Sequence, residues 1–169
     1  MRVSITSIFI LVLFSFLANT FATISPNTEN TFNNFADAVS KAKDGEDVGR
    51  TLNIKGIRVY GFNYGEDYLT VDGGKTTKGI YVKLNKPNNP PCNSGACICL
   101  CKDTCGKETV CRRIDGINKI IAKSEFLGTN KGAQEGTYYT LALDGKKENN
   151  VCVIATRNSE VLEINDCLA

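Results

Sequence analysis

The stretch Cys92-Asn-Ser-Gly-Ala-Cys-Ile-Cys-Leu-Cys-Lys-Asp-Thr-Cys-Gly-Lys-Glu-Thr-Val-Cys111 holds six of the chain's eight cysteines. Three chemistries use cysteine at this density: metal cages, redox centres and structural disulfides. Spacing separates them. No two cysteines stand in Cys-x-x-Cys spacing. Zinc ribbons, ferredoxins and thioredoxin-like sites use that spacing to turn two thiolates toward one point. The chain also has no His, so a mixed Cys/His zinc site cannot be built.

Cys97, Cys99 and Cys101 alternate with Ile98 and Leu100. The alternation is similar to metallothionein spacing, although Ile98 and Leu100 differ from the small and charged residues usual between such thiolates. Thiolates would suit Cu(I) or Zn. An extracytoplasmic metal-binding protein and a thiol-disulfide oxidoreductase therefore stand as alternatives to structural bridges. On a strand, the alternation sends all three sulfurs to one face and both aliphatics to the other. The aliphatic face enters a core, and the sulfur face is free to be cross-linked.

Eight cysteines allow 105 pairings, and strand geometry prunes them. Cys97 and Cys99 on one strand lie about 6.6 Å apart at Cα with parallel Cβ vectors, which disfavours a bridge. A turn centred on Cys105 sets Cys99 opposite Cys111. That leaves Cys101–Cys105 near the tip and Cys92–Cys97 closing a loop. A second hairpin, turning at Asn158-Ser159, sets Cys152 opposite Asn165 with Cys167 one diagonal step away. Cys152 and Cys167 are thus expected to pair.

The N-terminus argues for the compartment in which such bridges form. Arg2 precedes an uncharged apolar run that ends in Thr20-Phe21-Ala22, the pattern of a secretory signal over residues 1–22. The alternative is an uncleaved anchor, because no charge occurs between Arg2 and Glu29 and that length could span a bilayer. Either reading puts the remainder outside the cytoplasm, secreted or at the cell surface, with membrane contact only through such an anchor. Disulfides are expected there.

Beyond residue 22 the chain has 19 basic and 18 acidic residues, once Arg2 is set aside. This near-neutral balance has no basic stripe and no nucleic-acid module signature, so nucleic acid is not an expected partner. Leu, Ile, Val and Phe make up 33 of these 147 residues. That suits one thin-cored domain that needs covalent help.

Residues 23–30 read as a polar tether, and 31–169 as a single β-rich domain. Phe32, Phe35, Ala36, Val39 and Ala42 fall at helical spacing. This predicts one helix over 31–44, capped at Asn30 or Thr31 and stopped at Gly45. Short β-branched and aromatic runs separated by turn clusters follow. They predict strands at 51–54, 57–63, 68–71, 79–84, 96–102, 108–114, 119–126, 137–143, 151–156 and 160–165. The fold class is therefore mainly β (α+β): an N-terminal helix, then a disulfide-stabilised antiparallel sandwich or bent sheet.

Without His, neither a Ser-His-Asp nor a Cys-His arrangement is possible. No phosphate-binding glycine loop appears, and no cofactor is implied. Adjacent carboxylates such as Glu66/Asp67 point apart on extended chain and do not form a glycosidase pair. Tyr60, Phe62 and Tyr64 alternate, either as a platform for a glycan or protein partner or as the buried face of a strand. Pro90 and Pro91, in the Pro-rich loop beside Cys92, are the second candidate contact surface. The expected role is a non-catalytic structural or binding module.

Overall fold

The computed structural model describes residues 24–72, 81–88, 90–102, 105–106, 109–123, 141–144 and 149–167. The expected leader and parts of the strands predicted at 79–84, 119–126 and 137–143 lie outside the described residues. Helix α1 (Pro26–Lys41) is followed by β1 (Asp47–Asn53), β2 (Arg58–Phe62), β3 (Tyr68–Asp72) and β4 (Tyr81–Asn85). After a one-turn helix α2 (Pro90–Asn93) come β5 (Cys97–Cys101), β6 (Thr109–Arg113) and β7 (Lys119–Ala122). The last strands are β8 (Ala142–Asp144), β9 (Asn150–Asn158) and β10 (Val161–Asp166).

Two four-stranded sheets form a sandwich. One has the order β1-β9-β10-β7, the other β6-β5-β2-β8, and β3-β4 makes a separate hairpin. The pairings are antiparallel except β10–β7, which is parallel in the register Leu162↔Ile120. That exception follows from a crossover. After β7 the chain adds β8 to the opposite sheet before returning as β9 and β10.

The two sheets share one apolar core. Val153, Ala155, Leu162 and Ile164 from the first sheet meet Val59, Ile98, Leu100 and Leu143 from the second. Phe32, Phe35, Ala36 and Val39 of α1 enter the same core. The helix packs on β1 and reaches β6, the outer strands of the two sheets, so it closes one open side of the sandwich. Burying each Phe contributes about 1.5–3 kcal/mol. Asp37 of α1 also pairs with Arg112 of β6. At the other side the sheets converge, and Asn63 Oδ1 accepts a hydrogen bond from the Ile120 N–H at 2.7 Å.

The helix begins five residues earlier than its apolar stripe suggests, which shortens the expected tether. Ser25 is the N-cap, its Oγ accepting from the Thr28 N–H at 3.1 Å. Pro26 occupies the first turn, where its missing N–H is no loss. Thr28 is buried and extends the stripe by one turn. The helix ends at Lys41 rather than at Gly45, which sits in the following turn at φ +78°.

Candidate functional site

The sulfur face of β5 is the densest concentration of chemistry in the molecule. β5 lies between β2 and β6, with Tyr60↔Cys99 and Phe62↔Cys97 on one side and Cys99↔Cys111 on the other. The pleat separates its side chains as the sequence alternation requires. Ile98 and Leu100 enter the sandwich core, and Cys97, Cys99 and Cys101 face away from it.

That second face is also buried. Leu69 of β3 and Leu84 of β4 close over it and over Tyr60, Phe62 and Ala142 of the same sheet, and Cys92, Cys97, Cys99 and Cys101 have no exposed surface. The middle sheet is therefore covered on both sides. The covering hairpin is the feature that the strand-by-strand reading missed, because its packing is non-local.

Four cysteine pairs lie at bonding distance: Cys92–Cys97, Cys99–Cys111, Cys101–Cys105 and Cys152–Cys167. These are the pairs that strand geometry selects. Cys99 and Cys111 are direct cross-strand neighbours with Cα atoms 4.1 Å apart. The last pair is correct for a slightly different reason. The hairpin turns at Ser159-Glu160, with Val161 opposite Asn158 and Asp166 opposite Val153. That register places Cys167 across from Cys152 instead of diagonally. Ser159 carries the turn at φ +53°, and its N–H donates to Asp44. This bridge lies on the outer face of its sheet, with Cys152 exposed.

Two of the buried bridges touch. The Cys99 sulfur is 3.7 Å from that of Cys92 and 3.8 Å from that of Cys97. The sulfurs of Cys92, Cys99 and Cys111 all lie within 4.8 Å of one another.

The aromatic alternation divides between core and surface. Tyr60 and Phe62 are buried, 4% and 0% exposed, so they are excluded from a contact surface. Their side chains pack on the sulfur face beneath the hairpin. Tyr64 and Tyr68 are the exposed large apolar side chains among the described residues, at 56% and 47%. The Lys83 ammonium lies 3.7 Å from the centre of the Tyr68 ring.

The turn beneath Tyr64 is fixed from several directions. Its N–H donates to the Asn118 carbonyl at 2.8 Å, and Gly65 takes φ +77°. The Lys86 Nζ donates to the Asn63 carbonyl oxygen at 2.9 Å. Burial lowers the pKa of this ammonium below 10.5, and nearby Glu66 and Asp67 only partly oppose that. On β2, burial pulls the Arg58 guanidinium down, but Tyr60 and Asp144 more than offset it and leave it raised.

The proline segment differs from an extended exposed loop. Pro90 and Pro91 start the one-turn α2. Pro91 is half-buried and Cys92 is anchored in the sulfur cluster. Pro at the start of a helical turn removes no needed donor, and the bridge to Cys97 then fixes the turn against the sheet. A cavity of about 360 Å³ lies between the N-terminus of α1 and the β1–β2 turn, flanked by Lys55 and Lys102. No helix among the described residues is long and apolar enough to cross a membrane.

No family model, curated protein or solved structure matches this chain.

Proposed function

We propose that this protein is a non-catalytic binding module that works outside the cytoplasm, secreted or held at the cell surface, and engages a protein or glycan through Tyr64, on the turn after β2, and Tyr68, at the start of β3. The observation that carries this reading is a contrast in exposure. Among the side chains whose burial is described, the other large apolar ones are buried or half-buried, yet Tyr64 stands out on a turn with a fixed backbone and Tyr68 at the start of β3. Exposed aromatics on a rigid support lose little conformational entropy on contact, which is why binding surfaces favour them. Lys83, lying against Tyr68, adds a positive charge to the patch. Four bridges and the apolar leader support an oxidising location.

The test is site-specific photocross-linking in the exported protein, with a photoreactive phenylalanine replacing Tyr64 or, as a control on an exposed strand position, Thr51. A discrete adduct at position 64 that is absent at position 51 is expected. Equal labelling at both positions, or none at 64, refutes the assigned surface.

A further inference from the structure

We infer that the surface carrying Tyr64 and Tyr68 takes a neutral glycan, an inference that rests on the binding role proposed above and chooses between its two partner classes. Area favours the glycan. At 56% and 47% exposure, the two side chains together offer about 150–250 Å², taking a tyrosine to bury about 150–250 Å² when fully covered. A standard protein interface buries about 800 Å² on each partner, of which about 450 Å² is apolar. The neighbours do not make up the difference, because the other large apolar side chains whose burial is described are buried or half-buried. One ring is nevertheless enough for one sugar unit. A pyranose presents C–H bonds of partial positive charge on one face, and these pack on the negative π-face of an aromatic ring.

Charge points the same way. Glu66 and Asp67 lie between the two tyrosines in the chain. Lys83 lies against the Tyr68 ring, and Lys86 reaches the Asn63 carbonyl oxygen in the same turn. Both carboxylates act on the Lys86 ammonium and favour its charged form. Two negative and two positive groups leave the patch without a net field to draw in a polyanion or a polycation.

Hydrogen-bonding capacity completes the match. Asn85 is the cross-strand partner of Tyr68, and Asp67 precedes that tyrosine. Both residues are exposed, and neither side chain has a hydrogen-bond partner among the described residues. The amide offers donors and an acceptor to sugar hydroxyls, and the carboxylate offers acceptors. Asn63 and Glu66, by contrast, are engaged in holding the turn. The Asn63 Nδ2 donates to Glu66 Oε1 at 3.1 Å, while its Oδ1 accepts from the Ile120 N–H. The inner polar groups therefore fix the support, and the outer ones are left for a ligand. A stacking ring beside a few placed polar groups is a set that orients a small ligand.

The cross-linking at position 64 tests the inference through the chemistry of what is captured. After trypsin digestion of the adduct, the peptide carrying position 64 is expected to hold hexose or N-acetylhexosamine units and no second peptide. A second peptide would overturn the glycan assignment and leave the binding surface standing. Absence of any adduct would remove the surface itself. Retention of the purified chain on insoluble chitin, cellulose, β-1,3-glucan and mannan gives a second readout, with binding expected to at least one. Tyr64→Ala should weaken that retention about tenfold, the scale of one aromatic contact. Tyr64→Phe should preserve it, because stacking needs the ring and not the hydroxyl. No retention on any of the four, or equal retention of the Tyr64→Ala variant, would overturn the assignment.

Discussion

Two of the bridges close loops of similar length in opposite environments, so removing each in turn separates chain entropy from packing. Cys99 and Cys111 are 12 residues apart, and Cys152 and Cys167 are 15 apart. The chain-entropy relation gives about 3 kcal/mol for each bridge, and the two values differ by only about 0.2 kcal/mol. Exposure differs far more. Cys99 and Cys111 are 0% and 6% exposed, whereas Cys152 lies on the outer face of its sheet. Cys99→Ala with Cys111→Ala also empties two buried sulfur positions. The sulfurs of Cys92 and Cys97 lose a contact partner at 3.7 and 3.8 Å. That adds about 1–2 kcal/mol, on the scale of one buried methylene per sulfur. The inner double variant is therefore expected to lose about 4–5 kcal/mol and the outer one about 3 kcal/mol. Urea unfolding of the two proteins measures both, after peptide mapping confirms that the other three bridges are retained. Equal losses, or a larger loss from the outer pair, would refute the claim that the sulfur cluster is a packed part of the core.

Gly61→Ala should cost about 1–3 kcal/mol, because its Cβ would meet Ile120 Cγ2 at 3.0 Å and Leu141 Cβ at 3.1 Å. Gly49→Ala has nothing within 4 Å and should stabilise the edge strand β1 by about 0.5 kcal/mol; thermal melts of the pair test both. Ser25→Ala removes the cap of α1 and should cost about 1 kcal/mol, read as a lower urea midpoint; an unchanged midpoint would argue against the early helix start. Lys86 should titrate below the ordinary lysine value of 10.5 in an NMR titration of its side chain. The unfolded chain holds more protons than the folded one between those two pKa values. Stability should therefore rise with pH across that window, and Lys86→Met should abolish this contribution.

The sequence is most legible where one residue type repeats with a strand period. In Cys97–Cys101, the choice of face follows from alternation, and three of the pairings follow from placing a turn at Cys105. Cys152–Cys167 survives a two-residue change in register because such a change keeps every side chain on its face. Other features were less visible. The start of α1 was present as Ser25-Pro26, a cap followed by a helix-starting proline, but the Phe stripe drew the boundary inward. The parallel β7–β10 pair has no local signal, since it depends on where β8 goes. The burial of Tyr60 and Phe62 depends on a hairpin whose strands come later in the chain. Alternation identifies two faces of a strand, but it does not say whether the second face meets solvent.

That last ambiguity bears on why the protein needs its bridges. A sheet covered on one side only would have its sulfurs at the surface, where bridges mainly restrain the unfolded chain. Here the sulfurs are themselves the filling between the middle sheet and the β3–β4 hairpin, which contributes Leu69 and Leu84 to that layer. A two-stranded hairpin makes a weak cover, because an isolated hairpin is marginal in water. Cross-linked sulfur supplies both apolar volume and covalent restraint in the same place. The rigidity of the Tyr64 turn follows from it, since that turn joins β2, which packs on the cluster, to β3, which covers it. Loosening the Cys99–Cys111 junction should therefore be felt at the exposed tyrosines, while loosening Cys152–Cys167 on the far sheet should leave them in place.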